Sequence, residues 1–358
     1  MFMNSKNHKI LILRFLFVLS LILTSCRLLD NDENDKVTPP TFMFFVDEAG
    51  HKDILGDDYA RDLKQPLNEN VAYTAPGFFW PEIEPINNEF EWSELDNLVS
   101  NNRDKYIVFR VGLLFESTGN GDFNIAGEGT PAWLENRLSN PQLKQEYGEF
   151  FTAIVFRYRE DVAMWWVGEE VNMGGDGLSW VQQKEWIKFQ IGVIRNIDPD
   201  ARIAVSFGSW TDYHEEMPQN AINEAEGAQQ LVDEGIDFDI IAIEYHYGTL
   251  QKGDIKNLRN ALSDIESVGK EIFIWELFYP CGTDFEYQEN WNWKYPPECG
   301  YSEEWQADQL LETLKLVYED SKIIGIFIYH FQDITYDKIN PTDSEAGWIC
   351  FARLVRSD

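Results

Sequence analysis

Two glutamates stand out because each closes an apolar run. Glu170 lies in Trp165-Trp166-Val167-Gly168-Glu169-Glu170-Val171-Asn172, where the apolar residues 162–167 reach a glycine and then two carboxylates. Glu276 ends the stretch Glu271-Ile272-Phe273-Ile274-Trp275-Glu276. Continuous apolar runs of this length suit strands buried on both faces, which deliver charged groups to the rim of a parallel sheet. The two glutamates are about 100 residues apart, room for several crossovers of a dozen or more residues each. One carboxyl group can give up a proton while an ionised one attacks or activates a nucleophile. In a chain with 13 tryptophans that pairing points to acid/base chemistry on a sugar.

The elements that must position them can be counted. Strands are expected over residues 41–46, 70–74, 106–111, 162–167, 202–207, 238–243, 271–276 and 323–329. Helical patterns separate them. Leu143, Tyr147, Phe150, Phe151, Ile154 and Tyr158 recur at helical spacing behind Asn140-Pro141, with the proline at the first helical position. Ser179 caps a helix whose buried face reads as Trp186, Phe189, Val193, Ile194 and Ile197. Further helices are expected up to Gly235, over 254–268 and over 303–318. Ser93 and Asp96 have the spacing of a capping box, and the glycine- and asparagine-rich residues 119–129 read as loop. This alternation fits a single (β/α)8 TIM barrel. A doubly wound sheet is the competing arrangement, but no glycine-rich phosphate loop follows the first strand.

Gly168-Glu169-Glu170-Val171-Asn172 resembles the Gly-Asn-Glu-x-Asn segment of a large clan of retaining β-glycosidases on (β/α)8 barrels. The clan includes endo-β-1,4-galactanases, xylanases and β-galactosidases. Trp80-Pro81-Glu82-Ile83-Glu84-Pro85, with Phe90, Trp92, Leu95 and Asp96 beyond it, is similar to the clan's segment between the second strand and its helix. Thr130-Pro131-Ala132-Trp133 is similar to another of its segments. The likeness runs over residues 40–358. It implies Glu170 as acid/base after strand four and Glu276 as nucleophile after strand seven. Glu169 stands where the clan has an asparagine that hydrogen-bonds the sugar 2-hydroxyl. A carboxylate there can only accept, which implies an altered contact. Two readings are open: Glu169 couples electrostatically to Glu170, or it pairs with Arg110 and never meets sugar. Arg110 itself fits either a partner for a catalytic carboxylate or a structural ion pair. Trp80 fits a sugar contact or the core, and Trp133 and Trp210 are further sugar-contact candidates. The resemblance implies a polar or aromatic group beside the nucleophile after strand six, where His246 and Tyr247 stand; His246 equally fits a satisfied structural histidine. Phe331 or Trp348 would supply the floor under the bound sugar.

Lys6, Lys9 and Arg14 precede and interrupt an apolar stretch ending at Leu23, too short for a comfortable membrane span. Leu23-Thr24-Ser25-Cys26 resembles a bacterial lipobox, which implies a signal peptide over 1–25 and a lipid on Cys26. A plain secretory signal is the alternative. Asp30-Asn31-Asp32-Glu33-Asn34-Asp35 is acidic and resembles the export signals of surface lipoproteins, so residues 26–40 read as a flexible tether and 41–358 as the catalytic barrel. The protein is therefore expected at the outer membrane, surface-exposed, monomeric and touching the membrane through its lipid alone. Cys281, Cys299 and Cys350 remain. An oxidising compartment permits one pair, and Cys281 and Cys299 bracket the long loop 279–301, so they are expected to pair and leave Cys350 free. The net charge of −33 should repel nucleic acid and anionic membrane surfaces, and it equally fits plain solubility. No Cys/His cluster has zinc spacing, and the acidic run lacks the glycine and final glutamate of a calcium loop, so neither metal nor cofactor is expected. The expected activity is retaining hydrolysis of a β-linked polysaccharide or oligosaccharide. The alternative is a barrel that binds glycan at the cell surface without turnover.

Overall fold

A computed structural model of the chain describes residues 43–46, 71–74, 80–112, 115–117, 123–125, 129–173, 178–208, 221–246, 255–278 and 303–328. Ten strands occur among them: β1 (Met43–Val46), β2 (Val71–Thr74), β3 (Tyr106–Arg110), β4 (Phe115–Ser117), β5 (Phe123–Ile125), β6 (Val162–Val167), β7 (Ile203–Gly208), β8 (Ile240–His246), β9 (Glu271–Phe278) and β10 (Ile323–Ile328). The helices are α1 (Trp80–Ile83), α2 (Ser93–Asn101), α3 (Leu143–Tyr158), α4 (Trp180–Ile197), α5 (Glu224–Asp233), α6 (Ile255–Glu266) and α7 (Glu303–Glu319).

Eight strands pair in the order β1-β10-β9-β8-β7-β6-β3-β2, every pairing parallel. That is chain order around a ring, and the end strands β1 and β2 approach with Cα atoms within 8 Å. The architecture is a (β/α)8 TIM barrel. β6 is its fourth strand and β9 its seventh.

Strand residues alternate between two cores. Tyr106 and Val108 of β3 and Met164 and Trp166 of β6 belong to a cluster made of strand residues, the barrel interior. Ile107, Phe109, Trp165 and Val167 belong to the layer shared with the helices. Trp166, Trp275 and Phe327 fill the interior, with ring centroids 4.2 Å apart in each successive pair, and the small Ala204 and Ala242 share that cluster. Large and small side chains from alternate strands fill a barrel in this way. In the outer layer, α3 buries Leu143, Tyr147, Phe150, Phe151, Ile154 and Tyr158, the stripe read from its spacing.

Local readings needed correction. The hairpin of β4 and β5 includes Phe123–Ile125, inside the segment read as loop; three antiparallel pairs hold it. Ser93 and Asp96 form no capping box, because α2 has Trp92 at its N-cap with no side-chain cap bond. Asp96 accepts instead from Arg157 Nε at 2.9 Å and from Tyr158 Oη at 3.0 Å. α3 starts two residues after Pro141, since Asn140 Oδ1 accepts from the Gln142 amide at 3.0 Å and closes a turn first. The capping box is on α4, where Ser179 and Gln182 exchange bonds. Ile187 and Ile191 are fully buried on that helix, whereas Phe189, Val193 and Ile197 are only partly covered.

Candidate functional site

The carboxyl ends of β3, β6 and β8 carry charged residues at one rim, with Ser206 of β7 beside them. Parallel barrels concentrate reactive groups at that end because each strand stops there and releases its chain into a loop. Arg110 is the last residue of β3, and its Cα partner on β6 is Trp166. Just beyond, Gly112 and Gly168 press together: a Cβ on Gly112 would lie 2.7 Å from the Gly168 Cα. This approach brings the Arg110 Nη1 onto Glu169 Oε1 as an ion pair, with side-chain exposures of 16% and 19%. Arg110 is thus a partner of Glu169.

After Val167 the backbone turns sharply. Gly168 has φ 71° and Glu170 φ 40°. A positive φ is ordinary for glycine; for glutamate it costs about 1–3 kcal/mol and persists only where the surroundings impose it. Here β7 imposes it. The Glu170 amide donates to Ser206 Oγ at 3.4 Å and the Val171 amide to the Ser206 carbonyl at 3.1 Å. Asn172 then imitates a strand residue with its side chain: Nδ2 donates to the Gly208 carbonyl and Oδ1 accepts from the Gly208 amide, each at 2.8 Å. The β6–β7 pairing is thus extended past the strand's end. Gly208 leaves room first for Met173 and then for the carboxylate: a Cβ there would lie 2.5 Å from Met173 Sδ and 2.8 Å from Glu170 Oε1.

On β8, Ile240 and Ala242 face the interior. Glu244 follows at the same parity, is buried, and accepts from Ser206 Oγ at 2.9 Å. Ser206 and Glu244 were not among the residues singled out from sequence, and Asn172 was named there only as part of its motif. The period-two runs Ile240-x-Ala242-x-Glu244 and Ala204-x-Ser206-x-Gly208 were the available signal.

Glu276 sits at a break in β9. Glu244 and His246 on β8 face Trp275 and Phe278, and Ile326 and Ile328 on β10 face Ile274 and Leu277. β9 therefore carries one extra residue against both neighbours. Trp275 belongs to the interior cluster and Leu277 to the outer layer, although a regular strand would put them on the same face. The backbone of Glu276 lies between them, in a bulge; such irregularities re-aim side chains next to active sites.

Trp80 does not reach the rim. It is fully buried, stacked on Phe150 at 5.1 Å, and its Nε1 donates to Glu84 Oε2 at 2.7 Å, so it packs rather than meets sugar. Trp133 is half-buried, edge-on to Trp80 at 6.2 Å, with its Nε1 donating to the Glu84 carbonyl at 3.0 Å. His246 closes β8. Trp210, Tyr247, Phe331, Trp348, Cys26, Cys281, Cys299 and Cys350 lie outside the described residues.

Fold and rim together define a class: a (β/α)8 barrel with carboxylate residues at the fourth and seventh strands. Residues 78–336, more than half the chain, match Glycosyl hydrolase family 10, and the chain belongs to that family. Endo-1,4-beta-xylanase C of Paenibacillus barcinonensis is 25% identical over 245 residues, 62% of this chain and 22% of that protein. Endo-1,4-beta-xylanase A of Caldicellulosiruptor saccharolyticus is 25% identical over 203 residues, 53% of this chain and 54% of that one. Each match spans only part of the relative's own length. A psychrophilic family 10 endo-β-1,4-xylanase superposes with a TM-score of 0.54 at 17% identity, covering 80% of this chain and 85% of its own. A family 10 xylanase from Bispora sp. MEY-1, solved with xylobiose, gives 0.54 at 17% identity and covers 85% and 86%. At such identity the likeness concerns the fold.

Proposed function

We propose that the chain is a retaining glycoside hydrolase acting on β-1,4-linked xylan, with Glu170 as acid/base and Glu276 as nucleophile. The observation that carries this reading is the coincidence of two glutamates with two local breaks in backbone regularity, one after the fourth strand and one in the seventh. Family membership supports it, as do the xylanase names of the relatives and the xylobiose in a neighbouring structure. In the first step the Glu276 carboxylate attacks the anomeric carbon. The glycosidic C–O bond breaks and its oxygen takes the proton of Glu170. In the second step Glu170 takes a proton from water, the water oxygen bonds to the anomeric carbon, and Glu276 leaves. The test is proton NMR of xylo-oligosaccharide hydrolysis. The first product should carry the substrate's β configuration. An α product rules out retention, and binding without turnover favours the glycan-binding barrel.

We further propose, from the likeness of Leu23-Thr24-Ser25-Cys26 to a lipobox, that Cys26 is lipidated and tethers the barrel to the cell surface through residues 26–40. Mass analysis of the N-terminal peptide tests it: a diacylglyceryl adduct on Cys26 supports it, and a free N-terminus at another residue overturns it.

A further inference from the structure

We propose that Glu244 and Ser206 are positioning residues for Glu170, holding the acid/base in a conformation its strand end would not keep alone. The inference rests on Glu170 being the acid/base. Three groups form a chain of hydrogen bonds with one polarity. The Glu170 amide donates to Ser206 Oγ at 3.4 Å, and Ser206 Oγ donates to Glu244 Oε1 at 2.9 Å. A serine hydroxyl has one proton and two lone pairs. With the proton committed to a buried carboxylate, a lone pair is turned toward the Glu170 amide.

The three strands meet at one level. Gly208 of β7 is the Cα partner of Glu244 on β8, and its missing Cβ makes room for Met173 and the Glu170 carboxylate alike. Ser206 holds two successive amides beyond β6, one through its hydroxyl and one through its carbonyl. Glu170 is the residue among these with a left-handed backbone and a side chain, φ 40°. Removing the acceptor frees the hydroxyl to rotate and loosens its bond to the Glu170 amide, so the carboxyl group samples positions away from the leaving oxygen. The hydrogen-bond chain touches Glu170 by its backbone, so its loss acts on proton delivery and spares sugar binding.

The experiment compares kcat/KM, which reports steps through glycosylation, on xylotriose and on dinitrophenyl xylobioside, whose leaving group needs little protonation. Ser206→Ala should lose about tenfold on xylotriose, the scale of one hydrogen bond, and about twofold or less on the activated substrate, with KM preserved. Glu244→Gln, which keeps an acceptor oxygen for Ser206, should stay within about threefold of the parent, whereas Glu244→Leu should match Ser206→Ala. Ser206→Ala added to Glu170→Ala should cost nothing further. Glu170→Ala alone separates the two claims. If it affects both substrates equally, the acid/base assignment fails. If it spares the activated substrate but Ser206→Ala lowers both equally, or still acts in the Glu170→Ala background, the positioning role is overturned. A Gln variant as impaired as the Leu variant overturns the acceptor role.

Discussion

Glu84 and Glu244 are almost equally hidden carboxylates, at 3% and 4% exposure, and the barrel uses them differently. Glu84 is satisfied locally. Trp80 Nε1 donates to Oε2 at 2.7 Å and the Asn88 amide to Oε1 at 2.8 Å, each four residues away in the chain. It braces a turn in the helical layer, and burial there pushes its pKa above the usual carboxylate value. Glu244 takes its bond from Ser206, 38 residues away on the neighbouring strand, and that hydroxyl leads on to the Glu170 amide. Burial alone therefore says little about what a charged residue is for. Partners a helical turn away hold a local shape. Partners across strands fix where the next strand end stands, which at this rim is where chemistry would happen.

The sharpest contrast is at the rim glutamates themselves. Glu276→Ala should lower xylan turnover by about 10³-fold or more while glycan binding persists, and Glu170→Ala should do so on xylan far more than on aryl glycosides. Glu84→Gln should leave kcat per folded molecule within about twofold. Steady-state kinetics normalised to folded protein read all three; a Glu84 variant as dead as Glu276→Ala would erase the distinction between the layers.

The helical layer breaks the other way. Phe151 is buried between Tyr147, stacked at 5.7 Å, and Trp165, edge-on at 6.5 Å. Phe151→Ala should cost about 3–5 kcal/mol in denaturant unfolding. KM of the protein that remains folded should not change, and a shifted KM would mean that packing here reaches the site.

Glu84 also has a pH signature. Its folded pKa is raised, so the native state holds a proton more tightly than the unfolded chain does. Its contribution to stability is present below the unfolded value, about 4.3, and is lost as pH rises through the higher folded value. Glu84→Gln should therefore lag behind the parent most at acidic pH. Tm measured against pH checks this; a gap that widens toward neutral pH instead would show the sign is wrong.

The smallest effect belongs to Asp96, held below the usual aspartate value by its bonds to Arg157. A lowered folded pKa contributes stability above the unfolded value, about 3.9, that fades as pH falls through the folded one. Because both side chains are about two-fifths exposed, Asp96→Asn should cost only a few tenths of a kcal/mol at neutral pH, and less in acid. A loss of several kcal/mol by thermal unfolding would make the pair a main prop of α2 and α3.

The barrel was readable because strands covered on both faces need unbroken apolar residues, and a run such as 162–167 has few other uses. Glu170 was readable for the same reason, as a charge where such a run stops, but Glu276 is not a strand end: β9 runs on through Leu277 to Phe278, which pair with β10 and β8. The β9 bulge was not readable, since it exists only as a mismatch of register with β8 and β10. Nor was the Ser206–Glu244 bond, which joins two strands that the sequence shows only one at a time. Trp80 stayed open between sugar and core because its motif also serves packing. An indole can meet a sugar or a ring, and the choice lies in what α3 brings beside it, here Phe150 and Tyr147. The Ser93–Asp96 spacing misled because Arg157 and Tyr158, 61 and 62 residues from Asp96, hold its carboxylate.

The central claim is that Glu276, in the bulge of the seventh strand, forms a bond to sugar. Dinitrophenyl 2-fluoro-xylobioside tests it most directly, because the fluorine slows both steps while the good leaving group lets the first proceed, so the glycosyl-enzyme accumulates. Intact mass followed by peptide mapping should find one xylobiosyl adduct, on Glu276, and none on the Glu276→Ala variant. An adduct on another residue, or xylan hydrolysis with no adduct at all, would contradict the account.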